Sequence, residues 1–129
     1  MYKRQVLQAD AGTRTASITG AWAALALGLQ RLEQRGVLEG SPLIGQVSAV
    51  SVGLVNGAAL LDLDYSEDSR AEVDLNVVMN QELHLLEIQG TAEGTPFSRQ
   101  QLSCLVDLAE AGIQQLQAAQ TKALEEAPN

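Results

Sequence analysis

The hydrophobic period of the chain changes twice, and this change limits the folds that it can adopt. From Thr13 to Arg35 apolar residues recur at the three- and four-residue spacing of one helical face. Between Val50 and Gln89 they alternate with polar residues, as they do on half-buried strands. After Ser98 the helical spacing returns. The pattern predicts an α+β domain in the order helix, antiparallel sheet, long C-terminal helix.

The alternating region predicts three or four strands in an antiparallel meander. Asn56-Gly57 is the strongest short signal for a hairpin turn, and Asn80-Gln81 can form a second turn. The predicted strands are Val50–Val55, Leu61–Tyr65, Val73–Met79 and Leu83–Gln89.

The two helices carry recognisable ends. Gly36 can adopt the left-handed conformation that stops the first helix. Ser98 and Gln101 have the spacing of a capping box, and Phe97 can staple onto Leu102 at the start of the last helix. The end of the first helix and the start of the last helix therefore lie where the hydrophobic spacing changes.

Composition narrows the class of protein. The chain has 129 residues, a formal net charge of −8 and one cysteine, Cys104. One domain without a disulfide framework is expected at this length. Apolar runs are too short for a membrane helix, so a soluble cytoplasmic protein with no membrane contact is predicted. The negative charge by itself disfavours binding to nucleic acid.

The turn before the first helix, Gly12-Thr13-Arg14, has the composition of an anion site. A helix N-terminus presents unpaired N–H groups, and glycine lets the backbone approach a ligand closely. Thr13 adds a hydroxyl, and Arg14 adds a planar fork that matches phosphate oxygens. A phosphate site is one interpretation. A capped helix with a solvated arginine is the other.

An acidic segment follows the predicted hairpin. Carboxylates crowded around one cation favour a bound Mg²⁺ or Mn²⁺, although a solvated rim is the commoner explanation of such a run. Asp74 argues against the rim because it lies within a predicted strand. The acidic residues are Asp62, Asp64, Glu67, Asp68, Glu72 and Asp74, and the cation is Arg70.

Three other conspicuous residues predict no chemistry. His84 has no catalytic or metal-binding partner at a suitable spacing and is expected on a strand surface. Cys104 is expected to pack on or beside the apolar face of the last helix, and Trp22 in the core.

Three stretches together resemble the ribonuclease PH family, which is related to polynucleotide phosphorylase and the exosome core. They are VLQADAGTRTASITGAW, LLDLDYSEDSRAEVDLNVVM and EIQGTAEGTPFSR. The resemblance runs from Val6 to about Leu124 and implies part of a ribonuclease PH-type fold, which is like domain 2 of a ribosomal protein.

The resemblance also implies an activity. Members of the family are phosphate-dependent 3′-to-5′ exoribonucleases that trim the 3′ ends of transfer RNA precursors and release nucleoside diphosphates. By this resemblance Gly12, Thr13 and Arg14 bind the co-substrate inorganic phosphate. Asp68 and Asp74 hold Mg²⁺ or Mn²⁺ and assist proton transfer. The expected partners are RNA and further copies of the chain in a hexameric ring.

The sequence departs from the family in its length and at its start. It has about half the family's length, so residues 6–129 are expected to be a C-terminal portion without the basic N-terminal half. Met1–Gln5 does not continue the family's pattern and, read back as codons from a GTG start, resembles the end of a sequencing adapter. We interpret these five residues as a non-native scar, with a short natural N-terminus as the alternative.

Two other functions remain open at this point. The chain could be a non-catalytic, ring-forming interaction module of the same family. It could also be a Mg²⁺-dependent phosphate-binding protein unrelated to RNA.

Overall fold

The computed structural model describes residues 5–127, and it confirms the predicted α+β class. Of the predicted scar, only Gln5 falls within the described residues. In chain order the elements are α1 (Thr13–Gln34), β1 (Val47–Val55), β2 (Ala58–Leu61), α2 (Tyr65–Asp68), β3 (Val73–Asn80), β4 (Leu85–Ala92) and α3 (Arg99–Glu125).

The four strands form one antiparallel sheet in the order β2-β1-β3-β4, so the prediction of a simple meander is wrong. The hairpin turn is confirmed, with φ of 51° at Asn56 and 75° at Gly57. After this hairpin, the chain passes to the other edge of β1 instead of extending beyond β2. β1 and β3 pair from Val47 to Leu54, whereas β2 pairs with β1 only from Val52 to Val55. Because both of its edges are paired, β1 lies inside the sheet.

The returning strand is shorter than predicted. It ends at Leu61 because Asp62 has a left-handed backbone, with φ of 56°. Asp64 then caps the short helix α2, and its carboxylate accepts a bond from the Glu67 N–H in a capping box. The predicted strand residue Tyr65 is therefore the first residue of a helix.

The fourth strand starts and ends later than predicted, at Leu85 and Ala92. Leu83 has a φ of 62°, and this left-handed residue delays the start of the strand. His84 consequently lies in the turn before β4 and not on the strand, and it is exposed, as expected.

The hydrophobic core lies between α3 and one face of the sheet. Leu105, Ala109 and Ile113 of α3 have no exposed surface. Full burial of one leucine or isoleucine side chain contributes about 1.5 to 3 kcal/mol. The strand residues in the cluster are Val50, Val52, Leu54, Val73, Leu75, Val77 and Met79, so the alternate residues of β1 and β3 face the other side.

The capping box of α3 is confirmed. The Gln101 N–H donates to Ser98 Oγ at 3.2 Å, and the Ser98 N–H donates to Gln101 Oε1 at 2.7 Å. Phe97 and Leu102 are partly buried against the core cluster. Cys104 is exposed, contrary to prediction, because the face of α3 that packs on the sheet is formed by Leu105 and its neighbours.

Helix α1 begins and ends almost as predicted, and Gly36 has the expected left-handed φ of 69°. It lies along the part of β1 that β2 leaves unpaired. Thr19 Oγ1 donates to the Ala49 carbonyl at 3.0 Å and accepts from the Ala49 N–H at 2.9 Å. Trp22 is outside the core clusters; it is partly buried, and its Nε1–H donates to the Gly45 carbonyl at 2.8 Å.

Helix α3 helps to hold α1 in place. The side chain of Gln120 is 4% exposed and donates to the carbonyls of Thr19 and Val47 at 2.8 and 3.1 Å. One buried amide thus connects α3, α1 and β1. No helix within residues 5–127 has both the length and the apolar character that crossing a bilayer requires.

Candidate functional site

The turn at Gly12 is held close to the sheet, and both its left-handed backbone and its tight packing favour glycine. Gly12 is the N-cap residue of α1 and has a φ of 64°. A Cβ on this residue would lie 3.1 Å from Ser51 Oγ and 3.4 Å from Thr15 Oγ1. Ser51 is 3% exposed, and its hydroxyl has no hydrogen-bond partner among the described residues. The turn therefore rests on a buried polar group on the face of the sheet opposite the core.

The N-terminus of α1 is left available to an anion. No side chain caps this end within the described residues, and its first turn contains no acidic residue. Thr13 Oγ1 donates to the Asp10 carbonyl at 3.1 Å, so the Thr13 hydroxyl also stabilises the turn. Unpaired N–H groups and the positive end of the helix dipole attract anions.

Arg14 extends from this turn to the far strand of the sheet. Its Nη2 donates to both carboxylate oxygens of Glu87 in β4, at 2.8 and 2.9 Å. The two side chains are 47% and 41% exposed. Solvent screening at such exposure limits the pair to about 0 to 1 kcal/mol of stability. The contact therefore sets the direction of the guanidinium more than it stabilises the fold.

Asp10 joins the turn to the acidic segment. Its Oδ1 accepts from the Ala11 N–H at 3.0 Å and from the Tyr65 N–H, at the start of α2, at 2.9 Å. Asp62 Oδ1 lies 3.8 Å from the position that a Cβ on Gly12 would occupy. The two regions singled out in the sequence, 12–14 and 62–74, are thus in contact.

Asp68, Asp74 and Glu93 bring three carboxylates near one another. Asp74 is partly buried in β3, and desolvation raises the pKa of its carboxyl from the ordinary 3.8, with smaller contributions from the charges of Asp68 and Glu93. With Arg70, these residues line an open cleft of about 480 Å³. Thr13 and Arg14 line a different cleft, so the two halves of the candidate site adjoin without forming one pocket.

The register of the sheet gives the spacing between Asp74 and Glu87, the partner of Arg14. Glu87 pairs with Val78, and Asp74 lies four residues away on the same strand and the same face. At about 3.4 Å per residue, this separation is about 14 Å along β3. The row between them holds Asn76 and its partner Gln89. These two amides therefore border both halves of the site.

Glu87, Glu93 and Ser51 were missed by the sequence reasoning. Glu87 lies within β4, and a carboxylate within a strand is the same local signal that Asp74 gives in β3. Its contact with Arg14 spans 73 positions, so the pairing itself has no local signal. Ser51 is one small polar residue in an apolar run, and its position under Gly12 depends on how the helix packs.

The donor set fits a cation that needs few protein ligands. Within residues 5–127, no group of three or more His, Cys, Asp or Glu side chains is arranged to hold a metal. Mg²⁺ commonly binds one or two carboxylates and completes its shell with water and substrate phosphate. Asp68 and Asp74 would supply such a pair, and a cation between them would relieve the repulsion that contributes to the raised pKa of Asp74.

Comparison with known proteins decides the family. Residues 45–112, just over half of the chain, match domain 2 of the 3′ exoribonuclease family. This chain belongs to that family. The match covers all four strands, α2 and the first half of α3, and it includes Asp68 and Asp74.

Curated relatives extend the similarity to nearly the whole chain. The ribonuclease PH of Synechococcus sp. (strain CC9605) is 69% identical over 121 residues, which are 94% of this chain and 49% of the relative. The ribonuclease PH of Corynebacterium glutamicum (strain R) is 60% identical over 119 residues, 92% of this chain and 49% of the relative. The chain thus spans about half the length of the curated relatives that it matches, as the resemblance predicted.

Two solved structures share the architecture of this chain. Rice (Oryza sativa) Rrp46 superposes with a TM-score of 0.72 at 17% identity, over 95% of this chain and 52% of that one. A chain of the Archaeoglobus fulgidus exosome with RNA bound to the active site gives a TM-score of 0.53 at 17% identity, over 68% of this chain and 35% of that one. At this identity the likeness concerns the fold.

Proposed function

We propose that the chain is the C-terminal part of a phosphate-dependent 3′-to-5′ exoribonuclease that trims transfer RNA precursors. The observation that carries the proposal is the contact through Asp10, which joins the turn before α1 to the first residue of α2, the helix that carries Asp68. Phosphorolysis needs a site for inorganic phosphate next to a site for the leaving 3′ oxygen. Family membership and the ribonuclease PH relatives support this chemistry.

In the proposed reaction, an oxygen of inorganic phosphate attacks the phosphorus of the last phosphodiester. The bond to the 3′ oxygen of the preceding nucleotide breaks, so a nucleoside diphosphate leaves and the RNA becomes one nucleotide shorter. The α1 N–H groups, Thr13 and Arg14 would hold the attacking phosphate. Donors that are held in place in this way stabilise the negative charge that develops on the phosphate oxygens in the transition state.

Asp68 and Asp74 would act at the leaving oxygen. The raised pKa of the Asp74 carboxyl suits a group that holds or transfers a proton. The two carboxylates would also hold Mg²⁺ or Mn²⁺, which when bound offsets negative charge on phosphate oxygens.

The partners in this proposal are RNA and further copies of the protein. The net charge of −8 does not by itself attract RNA, so basic contacts would come from the part of the relatives that precedes this chain. We expect a homo-oligomer, a hexameric ring in the full-length protein, located in the cytoplasm with its transfer RNA substrate.

A phosphorolysis assay tests the proposal. A short RNA is incubated with the chain alone and with a chimaera in which the preceding half of the Synechococcus ribonuclease PH is joined at Val6. We expect the chimaera to release nucleoside diphosphates only when phosphate is present, and the chain alone to release few or none. The unaltered relative is the positive control.

Three outcomes separate the alternatives. Phosphate-dependent release of nucleoside diphosphates supports the exoribonuclease. A chimaera that assembles into a ring and releases none supports the non-catalytic module. Phosphate and Mg²⁺ binding without any dependence on RNA supports a phosphate-binding protein.

A further inference from the structure

The contact between Arg14 and Glu87 uses only one side of the guanidinium. Both bonds, at 2.8 and 2.9 Å, start from the same nitrogen, Nη2. Among the described residues, no oxygen accepts from Nη1 or Nε of Arg14. An arginine has five N–H donors in a fixed plane, so an edge of the fork remains able to bind a second anion.

The carboxylate of Glu87 is also well placed to fix this side chain. Glu87 belongs to β4, where it pairs with Val78 of the neighbouring strand, and Arg14 belongs to the first turn of α1. A long arginine side chain loses rotamer freedom when it binds a ligand. A partner on a strand removes that freedom during folding, before the ligand arrives.

We propose that Glu87 is a positioning residue, which holds Arg14 in the orientation that binds inorganic phosphate. The inference rests on the proposed phosphate site and adds to it the residue that orients the arginine. The opposite role is a competitor, in which Glu87 occupies Arg14 and phosphate must displace it. The two roles predict changes of opposite sign when the carboxylate is removed.

Simple electrostatics strengthens this contrast. Removing a negative charge near an anion site reduces repulsion and should tighten phosphate binding. A positioning role predicts weaker binding in spite of the lost repulsion. Glu87→Gln preserves the length and shape of the side chain, and it replaces a charged partner with a neutral one.

The test is a titration of the chain with inorganic phosphate, followed by NMR at the Nε–H and Nη–H signals of Arg14. We expect Glu87→Gln to raise the Kd for phosphate about two- to fivefold, because an exposed ion pair holds its partner only weakly in one orientation. We also expect the Nη signals of Arg14 to be separate in the unaltered protein and to merge in Glu87→Gln, because the guanidinium then rotates freely. The control is Glu82→Gln, which removes an equal charge from the turn before β4 and should leave the Kd unchanged or slightly lower.

A Kd that falls or stays the same in Glu87→Gln would overturn the inference. So would an unaltered protein in which phosphate does not perturb the Arg14 signals. Because this titration requires no RNA and no turnover, it is independent of the phosphorolysis assay. Phosphate binding that depends on Glu87 without release of nucleoside diphosphates would refute the proposed function alone.

Discussion

Asp10 and Tyr65 are joined across 55 positions of sequence by a hydrogen bond of 2.9 Å, in which the Tyr65 N–H donates to Asp10 Oδ1. The same oxygen accepts from the Ala11 N–H at 3.0 Å. One carboxylate oxygen therefore sets the turn before α1 against the start of α2. Its removal should disturb their relative position without opening the core.

The first prediction concerns this oxygen. Asp10→Ala should lower the free energy of unfolding by about 1 kcal/mol, because two N–H groups lose their protein partner while water remains within reach. It should also reduce the turnover of the chimaera. Asp10→Asn retains an acceptor oxygen and is the matched control. Equal turnover in the two variants would show that the link does not align the site.

The second prediction uses two glycines with similar backbones. Gly12 and Gly36 have φ values of 64° and 69°, but a Cβ on Gly36 would meet nothing within 4 Å. Gly36→Ala should cost about 1 to 2 kcal/mol through its left-handed backbone alone. Gly12→Ala should cost more, since its Cβ also meets Ser51 Oγ. Chemical denaturation measures both, and equal losses would mean that the turn can lift from the sheet freely.

The third prediction concerns Arg14 in catalysis. In the chimaera, Arg14→Ala should raise the KM for phosphate far more than the KM for RNA. Loss of a charged contact to the nucleophile should reduce transition-state stabilisation by about 2 to 4 kcal/mol. Steady-state kinetics at varied phosphate gives the comparison. Unchanged phosphate dependence would remove Arg14 from the site.

The fourth prediction concerns the two carboxylates of the proposed metal pair. Asp68→Asn and Asp74→Asn should each suppress turnover of the chimaera, because each preserves the side-chain shape and removes a charge. Circular dichroism should show an intact fold. Glu72→Gln, in the same segment, is the control. Normal activity of either Asn variant at limiting Mg²⁺ would identify that residue as an ordinary surface carboxylate.

Much of the fold follows from local signals. Two strand ends were mispredicted because Asp62 and Leu83 have left-handed backbones, and the strand order was mispredicted because it depends on distant elements. The hairpin turn, both ends of α1 and the capping box of α3 depend on residues within a few positions of one another. The strand order does not, because the edge of β1 that β3 joins is set by pairing between residues more than 18 positions apart, such as Leu54 and Val73.

The candidate site shows the same division. Gly12 to Arg14 and Asp74 can be selected from residue type and position, since glycine before a helix and a carboxylate within a strand are locally unusual. Glu87 could not be paired with Arg14 because the register of β4 and the placement of α1 together determine the contact.

The fifth prediction follows from the pKa of Asp74. Burial raises this pKa above its ordinary 3.8, so the carboxyl favours the folded state when it is protonated. The contribution is complete below about pH 3.8 and is lost as the pH rises through the higher folded-state value. Asp74→Asn should therefore be more stable than the unaltered chain at neutral pH, and the difference should shrink towards pH 3.

Asp64 provides a control of opposite sign for that measurement. Hydrogen bonds from the Ser66 hydroxyl and the Glu67 N–H lower the pKa of the Asp64 carboxyl. Its stabilising contribution is present above pH 3.8 and is lost as the pH falls through the lower folded-state value. Unfolding of Asp64→Asn and Asp74→Asn across pH 3 to 7 should give opposite trends. Parallel trends would contradict the assigned shifts.

The amide of Gln120 anchors α1, but it is synthesised long after that helix. It donates to the Thr19 carbonyl, which lies 101 residues earlier in the chain. A ribosome adds about 5 to 20 residues per second, so on the order of 5 to 20 s separate the synthesis of these two residues. Throughout that interval α1 lacks this anchor, and Arg14 gains Glu87 only when β4 has been synthesised. During synthesis, the turn at Gly12 therefore emerges before the strand and the helix whose side chains secure it.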